Sequence, residues 1–251
     1  MKVYRYIPFE HFKELVEKKE LRFVNPLTEW DDSREGYLFR QTKDENGLQQ
    51  IKKCLLNKYC GNAIIRQIIN GNVVDEIHVE SHRRTNDWFG IRCMSWCEKE
   101  DFNFMWQNYG DNEKAVMITA ELFYLKRLKY KTYHVEGFEV NYKEVLSVYD
   151  EIDDSVNDYG RFDFPLIYKT KSEKFKCEKE YRLYIVPLDE ENQKIEALGN
   201  IIYVPIEPSK LITEVLVNPY ADENFVKEVQ QFCEDNDIKF AGQSIVKSHL
   251  S

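Results

Sequence analysis

The chain has 251 residues, enough for one large domain with a full hydrophobic core, and we expect a single domain over residues 1–251. Its formal net charge of −9 argues against a broad basic surface for nucleic acid, although a local basic groove stays open. No stretch reaches transmembrane length and the N-terminus starts as a strand, so we expect a cytoplasmic protein with no membrane partner.

The N-terminal part of the chain is predicted to contain two short strands with a helix between them. Residues 3–6 and 21–24 are the predicted strands. The helix is predicted over residues 9–19, because apolar residues recur there at a spacing of three to four, at Phe9, Phe12, Leu15 and Val16.

The segment after Pro26 is polar and carries three carboxylates. Asp31, Asp32 and Glu35 are interpreted either as turn and cap residues or as part of a polar site. A long excursion then runs from about residue 38 to residue 86, and its two helical patterns predict a helical insertion.

The middle of the chain is predicted to contain a helix between two strands. Residues 90–96 and 115–119 are the strands, and residues 101–109 form the helix. Trp106 and Tyr109 are three residues apart on this helix, a spacing for which packing in the core is the usual explanation.

The second half of the chain is rich in predicted strands. They are predicted at residues 138–142, 145–149, 181–186, 201–206, 211–217 and 238–240. An amphipathic helix is predicted over residues 224–236. Because strands and helices do not alternate regularly, we expect an α+β fold with a mixed or antiparallel sheet.

Two glutamates lie two residues apart at the start of the strand predicted from residue 181. Residues i and i+2 of a strand point to the same face, so we expect Glu178, Glu180 and Arg182 to share one face. Neighbouring carboxylates repel each other unless a cation or a ligand compensates their charge, and Arg182 or one of the preceding lysines is the candidate cation. The pattern predicts either a solvated edge strand or a polar site built on a strand.

The cysteines and histidines do not form a metal-binding pattern. Six cysteines are scattered without a Cys-x-x-Cys pair, and the five histidines add no second half of a zinc site. We therefore expect no metal site, and we interpret the cysteines as buried apolar residues of a reducing compartment.

The order of motifs resembles a large bacterial family that has long been known only as a domain of unknown function, often found near mobile and phage-defence genes. The resemblance covers nearly the whole chain apart from the helical excursion. Its motifs are Tyr4-Arg5-Tyr6 with the following helix, Pro26 and Trp30-Asp31-Asp32 with Glu35, Met105-Trp106-Gln107-Asn108-Tyr109, Lys171 with Glu178-Lys179-Glu180-Tyr181-Arg182, and Pro208 to Val215.

A more distant resemblance is to the ADP-ribosyltransferases, and it implies their fold and NAD as a substrate. By this resemblance, Arg5 or Tyr4 holds the phosphates or the ribose of the dinucleotide. Ser95 corresponds to the motif that these enzymes carry on their middle strand. Glu180 is the catalytic carboxylate, and Glu178 lies near the acceptor.

The same resemblance implies further roles and partners. Trp106 or Tyr109 stacks on nicotinamide or adenine. The acceptor is a macromolecule, which is RNA, DNA or protein, and the enzyme acts as a toxin or an anti-phage effector. A toxin of this kind is expected to have a cognate antitoxin.

Two other classes of function stay open. A metal-dependent nuclease would use Asp31, Asp32, Glu178 and Glu180 as magnesium ligands, although the lysine lies between the two glutamates instead of after them. A non-catalytic module would bind a nucleotide or a partner without turnover.

Overall fold

The computed structural model describes residues 1–30, 93–97, 102–110, 114–130, 133–144, 168–187 and 201–245. In these ranges the fold combines helices with a large, mostly antiparallel sheet, which confirms the predicted α+β class. The predicted helical insertion at about residues 38–86 and the predicted strand at residues 145–149 lie outside the described residues.

The described elements follow the chain in this order. The first half contains β1 (Lys2–Pro8), α1 (Phe9–Lys18), β2 (Glu20–Val24), α2 (Pro26–Glu29), β3 (Cys93–Cys97), α3 (Phe102–Tyr109), β4 (Ala115–Glu121), α4 (Leu122–Leu125), β5 (Lys129–Tyr130), β6 (Tyr133–Glu139) and β7 (Asn141–Lys143). The second half contains β8 (Thr170–Ser172), a 3-10 helix (Glu173–Glu178), β9 (Glu180–Pro187), β10 (Ile201–Pro205), α5 (Pro208–Leu211), β11 (Ile212–Val217), α6 (Glu223–Asp235) and β12 (Phe240–Gln243).

Ten of the described strands form one sheet. Eight of them lie in the order β12-β11-β4-β1-β3-β9-β6-β5, while β2 pairs with β3 and β10 pairs with β2. Neighbouring strands of this sheet are antiparallel except for β11 and β12. Strands β7 and β8 form a separate parallel pair. None of the helices within the described ranges is long and apolar enough to cross a bilayer.

Helices cover both faces of the sheet near β1. Helix α1 ends at Lys19, which adopts a left-handed conformation, and its apolar stripe is buried as the helical spacing predicts. Phe9 of α1 packs edge-to-face on Phe225 of α6, with ring centroids 5.3 Å apart. On the opposite face, α3 packs through Met105 and Trp106 against Tyr6 of β1.

The sheet opens beside β1, and this opening positions the candidate site. Strand β1 pairs with β4 along its whole length. Among the described residues, however, it pairs with β3 only where Tyr4 faces Cys97, and β2 pairs with β3 only where Val24 faces Cys93. Strands β1, β2 and β3 therefore separate from one another and border a gap in the sheet.

Two predicted strands differ from the observed ones. The predicted strand at residues 138–142 is divided into β6 and β7, which belong to different sheets. The division falls at Val140, whose backbone N–H donates to the carbonyl of Glu180 at 3.0 Å. The last strand is β12, which only begins where the strand predicted at residues 238–240 ends.

Candidate functional site

A cavity of about 470 Å³ occupies the gap between β1, β2 and β3. It brings together every residue predicted for the transferase site except Trp106, namely Tyr4, Arg5, Ser95, Tyr109, Glu178 and Glu180. These residues are distant in the sequence, and they meet because β1, β3, α3 and β9 all border the gap. The wall also contains residues that the sequence prediction did not name as site residues, namely Arg22, Glu29, Lys171 and Phe175 among others.

Glu180 is buried at the start of β9 and accepts four hydrogen bonds. Its Oε1 accepts from Ser95 Oγ at 2.5 Å and from Arg182 Nε at 2.6 Å. Its Oε2 accepts from Arg182 Nη2 at 2.9 Å and from Lys171 Nζ at 3.2 Å. A carboxylate has about four lone-pair positions, so the acceptor capacity of Glu180 is filled.

Lys171 joins the two glutamates of the site. Its ammonium lies 2.7 Å from Glu178 Oε2 and 3.2 Å from Glu180 Oε2, and the side chain is buried. Arg182 supplies the second cation through its hydrogen bonds to Glu180. The prediction that Arg182 or a preceding lysine compensates the two carboxylates is confirmed, because both do so.

The two glutamates are not neighbours on one strand, so that part of the sequence prediction was wrong. Glu178 ends the 3-10 helix, and Lys179 then adopts a left-handed conformation with φ 46°. The backbone N–H of Lys179 bonds to the carbonyl of Lys176 at 3.3 Å, which closes the turn. Strand β9 begins only at Glu180, and the two carboxylates meet through Lys171 instead of through strand alternation.

The side chains of Tyr109 and Trp106, both on α3, lie in different environments. The Tyr109 hydroxyl donates to Glu178 Oε1 at 2.6 Å, and its side chain remains 39% exposed. Burial, followed by this hydrogen bond, raises the pKa of Tyr109 above its usual range. Trp106 does not line the cavity: it is only 3% exposed and packs edge-to-face on Tyr6 at a centroid distance of 4.7 Å.

The charge state of Glu180 follows from its neighbours. Burial alone raises the pKa of a carboxyl group, but Arg182 and Lys171 outweigh it and lower the pKa of Glu180 to about 2. Glu180 is therefore an anion at neutral pH. Glu178 accepts one hydrogen bond on each oxygen, from Tyr109 and Lys171, so it keeps acceptor positions for a ligand.

Further residues support the site without having been predicted as part of it. The backbone N–H of Glu180 donates to the Tyr142 hydroxyl at 2.8 Å, which fixes the start of β9 against β7. The Arg182 guanidinium lies 4.4 Å from the centre of the Trp30 ring and donates to the Tyr168 carbonyl at 2.7 Å. Trp30 and Arg182 belong to motifs identified in the sequence, so a sequence signal for these two residues existed. Tyr142 belongs to no such motif, and no sequence pattern indicated its role.

The described residues do not gather three or more potential metal ligands. The Lys171 ammonium also lies within hydrogen-bonding distance of both glutamates, where a bridging metal ion would have to bind. Asp31, Asp32 and Glu35, the remaining candidate carboxylates, lie outside the described residues.

Comparisons of the chain with protein-family models, with curated proteins and with solved structures found no match. The two family resemblances therefore rest on the sequence motifs, and the cavity provides the physical basis for assigning a function.

Proposed function

We propose that this protein is an NAD-dependent ADP-ribosyltransferase that modifies a nucleic acid or a protein. The observation that carries the proposal is the shared cavity, in which an anionic Glu180 and a partly unsatisfied Glu178 lie together with Tyr4 and Arg5. Its volume of about 470 Å³ lies within the usual range for small-molecule sites, and aromatic and charged residues both line it.

The reaction needs a fixed negative charge beside the ribose. The bond between C1′ of the ribose and the nicotinamide nitrogen breaks, and its electron pair leaves with nicotinamide. The sugar thereby becomes an oxocarbenium-like cation, which a preorganised carboxylate stabilises. The acceptor oxygen or nitrogen then bonds to C1′, and its proton passes to a base.

The two glutamates suit different parts of this reaction. Glu180 is held by Arg182, Lys171 and Ser95, so it supplies a charge that cannot move away from the ribose. Glu178 has acceptor positions left and is bound by the partly exposed Tyr109. We therefore assign the acceptor proton to Glu178 and the stabilisation of the cation to Glu180.

The cationic part of the cavity suits the phosphates of the dinucleotide. Arg5 makes no ion pair among the described residues, and a guanidinium is well matched to phosphate oxygens. Burial, followed by the nearby Arg22, lowers the pKa of Arg5 to about 10, so its guanidinium remains charged at neutral pH.

The two family resemblances add a fold and a biological role to the proposal. The motif order supports the fold of the ADP-ribosyltransferases and membership of the bacterial family found near phage-defence genes. The biological role that fits this context is a toxin or an anti-phage effector with a cognate antitoxin, acting on RNA, DNA or protein.

Label transfer from tagged NAD to macromolecules of a cell lysate tests the proposal. The wild type and the Glu173→Gln control should transfer the label, because Glu173 is exposed and lies outside the cavity. Glu180→Gln and Glu178→Gln should not transfer it, and thermal melting shows whether each variant is folded. Nuclease or protease treatment of the product then identifies the acceptor. Transfer by folded Glu180→Gln at the wild-type level, or none by the wild type, would contradict the proposal.

A further inference from the structure

A second cavity, of about 340 Å³, adjoins the first one. It lies between α1, β2 and β10, whereas the first cavity is bordered by α3 and the 3-10 helix. The two cavities share Arg5, Ile7 and Arg22 in their walls. The two cavities are therefore neighbours at the gap in the sheet, and these shared residues lie between them.

The junction of the two cavities carries uncompensated positive charge. Arg5 makes no ion pair with another described residue. Arg22 makes one exposed pair, with Glu29 at 3.2 Å, so this junction has two guanidinium groups and one carboxylate that is paired with Arg22 alone. Two nearby guanidinium groups repel each other, and an anion between them would relieve this repulsion. A diphosphate carries the charge and the oxygen atoms that fit such a pair.

The second cavity has the chemistry of a nucleoside site. Tyr203 of β10 lies directly opposite Arg22 of β2 in the sheet and is 43% exposed, so it offers an aromatic ring for stacking beside the arginine. Glu14 and Glu20 also line this cavity; Glu14 is paired with Lys18 at 2.8 Å, while Glu20 has no ion pair among the described residues. A free carboxylate accepts hydrogen bonds from ribose hydroxyls and repels an additional phosphate.

We infer that the two cavities form one dinucleotide site, with the diphosphate at Arg5 and Arg22 and the adenosine in the second cavity. This inference rests on the proposed function, which places the nicotinamide riboside beside Glu180 in the first cavity. Because Glu20 carries an unpaired carboxylate, the site selects a dinucleotide with a free 2′-hydroxyl over one with a 2′-phosphate.

Equilibrium binding of ADP to the purified full-length chain tests the site without requiring turnover. ADP carries the diphosphate and the adenosine but no nicotinamide, so it should bind to both the wild type and Glu180→Gln. Arg22→Gln should weaken ADP binding by about tenfold or more, because it removes a charge-assisted contact. Arg127→Gln is the matched control: Arg127 stacks on Phe123 outside both cavities, and this variant should bind ADP as the wild type does.

Binding of NADP in place of NAD tests the role of Glu20. Wild type should bind NAD about tenfold or more tightly than NADP, and Glu20→Gln should reduce this preference. An equal affinity for the two cofactors, or an unchanged preference in Glu20→Gln, would overturn the assignment of the second cavity.

The outcomes also separate this inference from the proposed function. If ADP binding depends on Arg22 but no label is transferred from NAD, the dinucleotide site stands and the transferase proposal fails. If label transfer depends on Glu180 but ADP does not bind, or binds equally to wild type and Arg22→Gln, the two-cavity site is wrong and the transferase proposal stands.

Discussion

The guanidinium of Arg182 holds the carboxylate of Glu180 through two hydrogen bonds, from Nε to Oε1 at 2.6 Å and from Nη2 to Oε2 at 2.9 Å. Both side chains are almost completely buried. A buried pair of this kind gives little net stability compared with apolar residues, but removing one partner leaves an expensive unpaired charge. Arg182 therefore makes it possible to keep an anionic Glu180 inside the protein.

The first prediction concerns the stability of this pair. Arg182→Gln should lower the free energy of unfolding by about 3–5 kcal/mol, because Glu180 then loses its bidentate partner. Denaturant unfolding measures the change. Lys176→Gln is the control: its pair with Glu173 at 3.0 Å is exposed, and its loss should cost less than about 1 kcal/mol. If the double variant Arg182→Met/Glu180→Gln is not more stable than Arg182→Gln, the lost compensation of the Glu180 charge is not the cause.

The second prediction concerns the dependence of stability on pH. The pKa of Glu180 is lowered from 4.5 to about 2, because Arg182 and Lys171 outweigh the effect of burial. A carboxyl group whose pKa is lower in the folded state stabilises the protein above its unfolded pKa. This stabilisation, on the order of 3 kcal/mol, should be lost as the pH falls from about 4.5 to about 2. Unfolding of Glu180→Gln should show a weaker decline over this range; an identical decline would refute the lowered pKa.

The third prediction separates Tyr109 from Trp106. Tyr109→Phe removes the hydrogen bond to Glu178, so it should reduce label transfer while costing only about 1–2 kcal/mol of stability. Trp106→Ala should cost about 3–5 kcal/mol and leave the NAD affinity of the folded protein unchanged, because Trp106 lies in the core. Trp106→Phe should cost less than Trp106→Ala, because the phenyl ring leaves a smaller cavity, while both variants remove an indole N–H that has no partner among the described residues. Weaker NAD binding by folded Trp106→Phe would place this residue in the site after all.

Local sequence patterns predicted the strands and helices that border the site. The apolar stripe of α1 and the alternation in β9 depend on residues close in the chain, so their periods were visible in the sequence. The position of Glu180 beside a compensating arginine was visible for the same reason. Tyr4 and Arg5 were placed in the site by resemblance, and the opening beside β1 explains how both reach one cavity.

Other features depend on contacts that no local pattern contains. Lys179 adopts a left-handed conformation that favours glycine, so nothing in its residue type signals the turn between Glu178 and Glu180. Arg22 alternates with buried residues along β2, a pattern that is equally typical of a solvated strand face. Its place at the junction of two cavities follows from the pairing of β2 with β3 and β10, strands that lie far away in the sequence.

The most direct test of the account is the rate of nicotinamide release from NAD in a cell lysate to which purified protein is added. Wild type and Glu173→Gln should release nicotinamide at the same rate, because Glu173 does not line the cavity. Glu180→Gln should be slower by about 100-fold or more, because the fixed charge beside the ribose is lost. No release by the wild type, or an equal rate in folded Glu180→Gln, would contradict the assignment of this cavity to NAD cleavage.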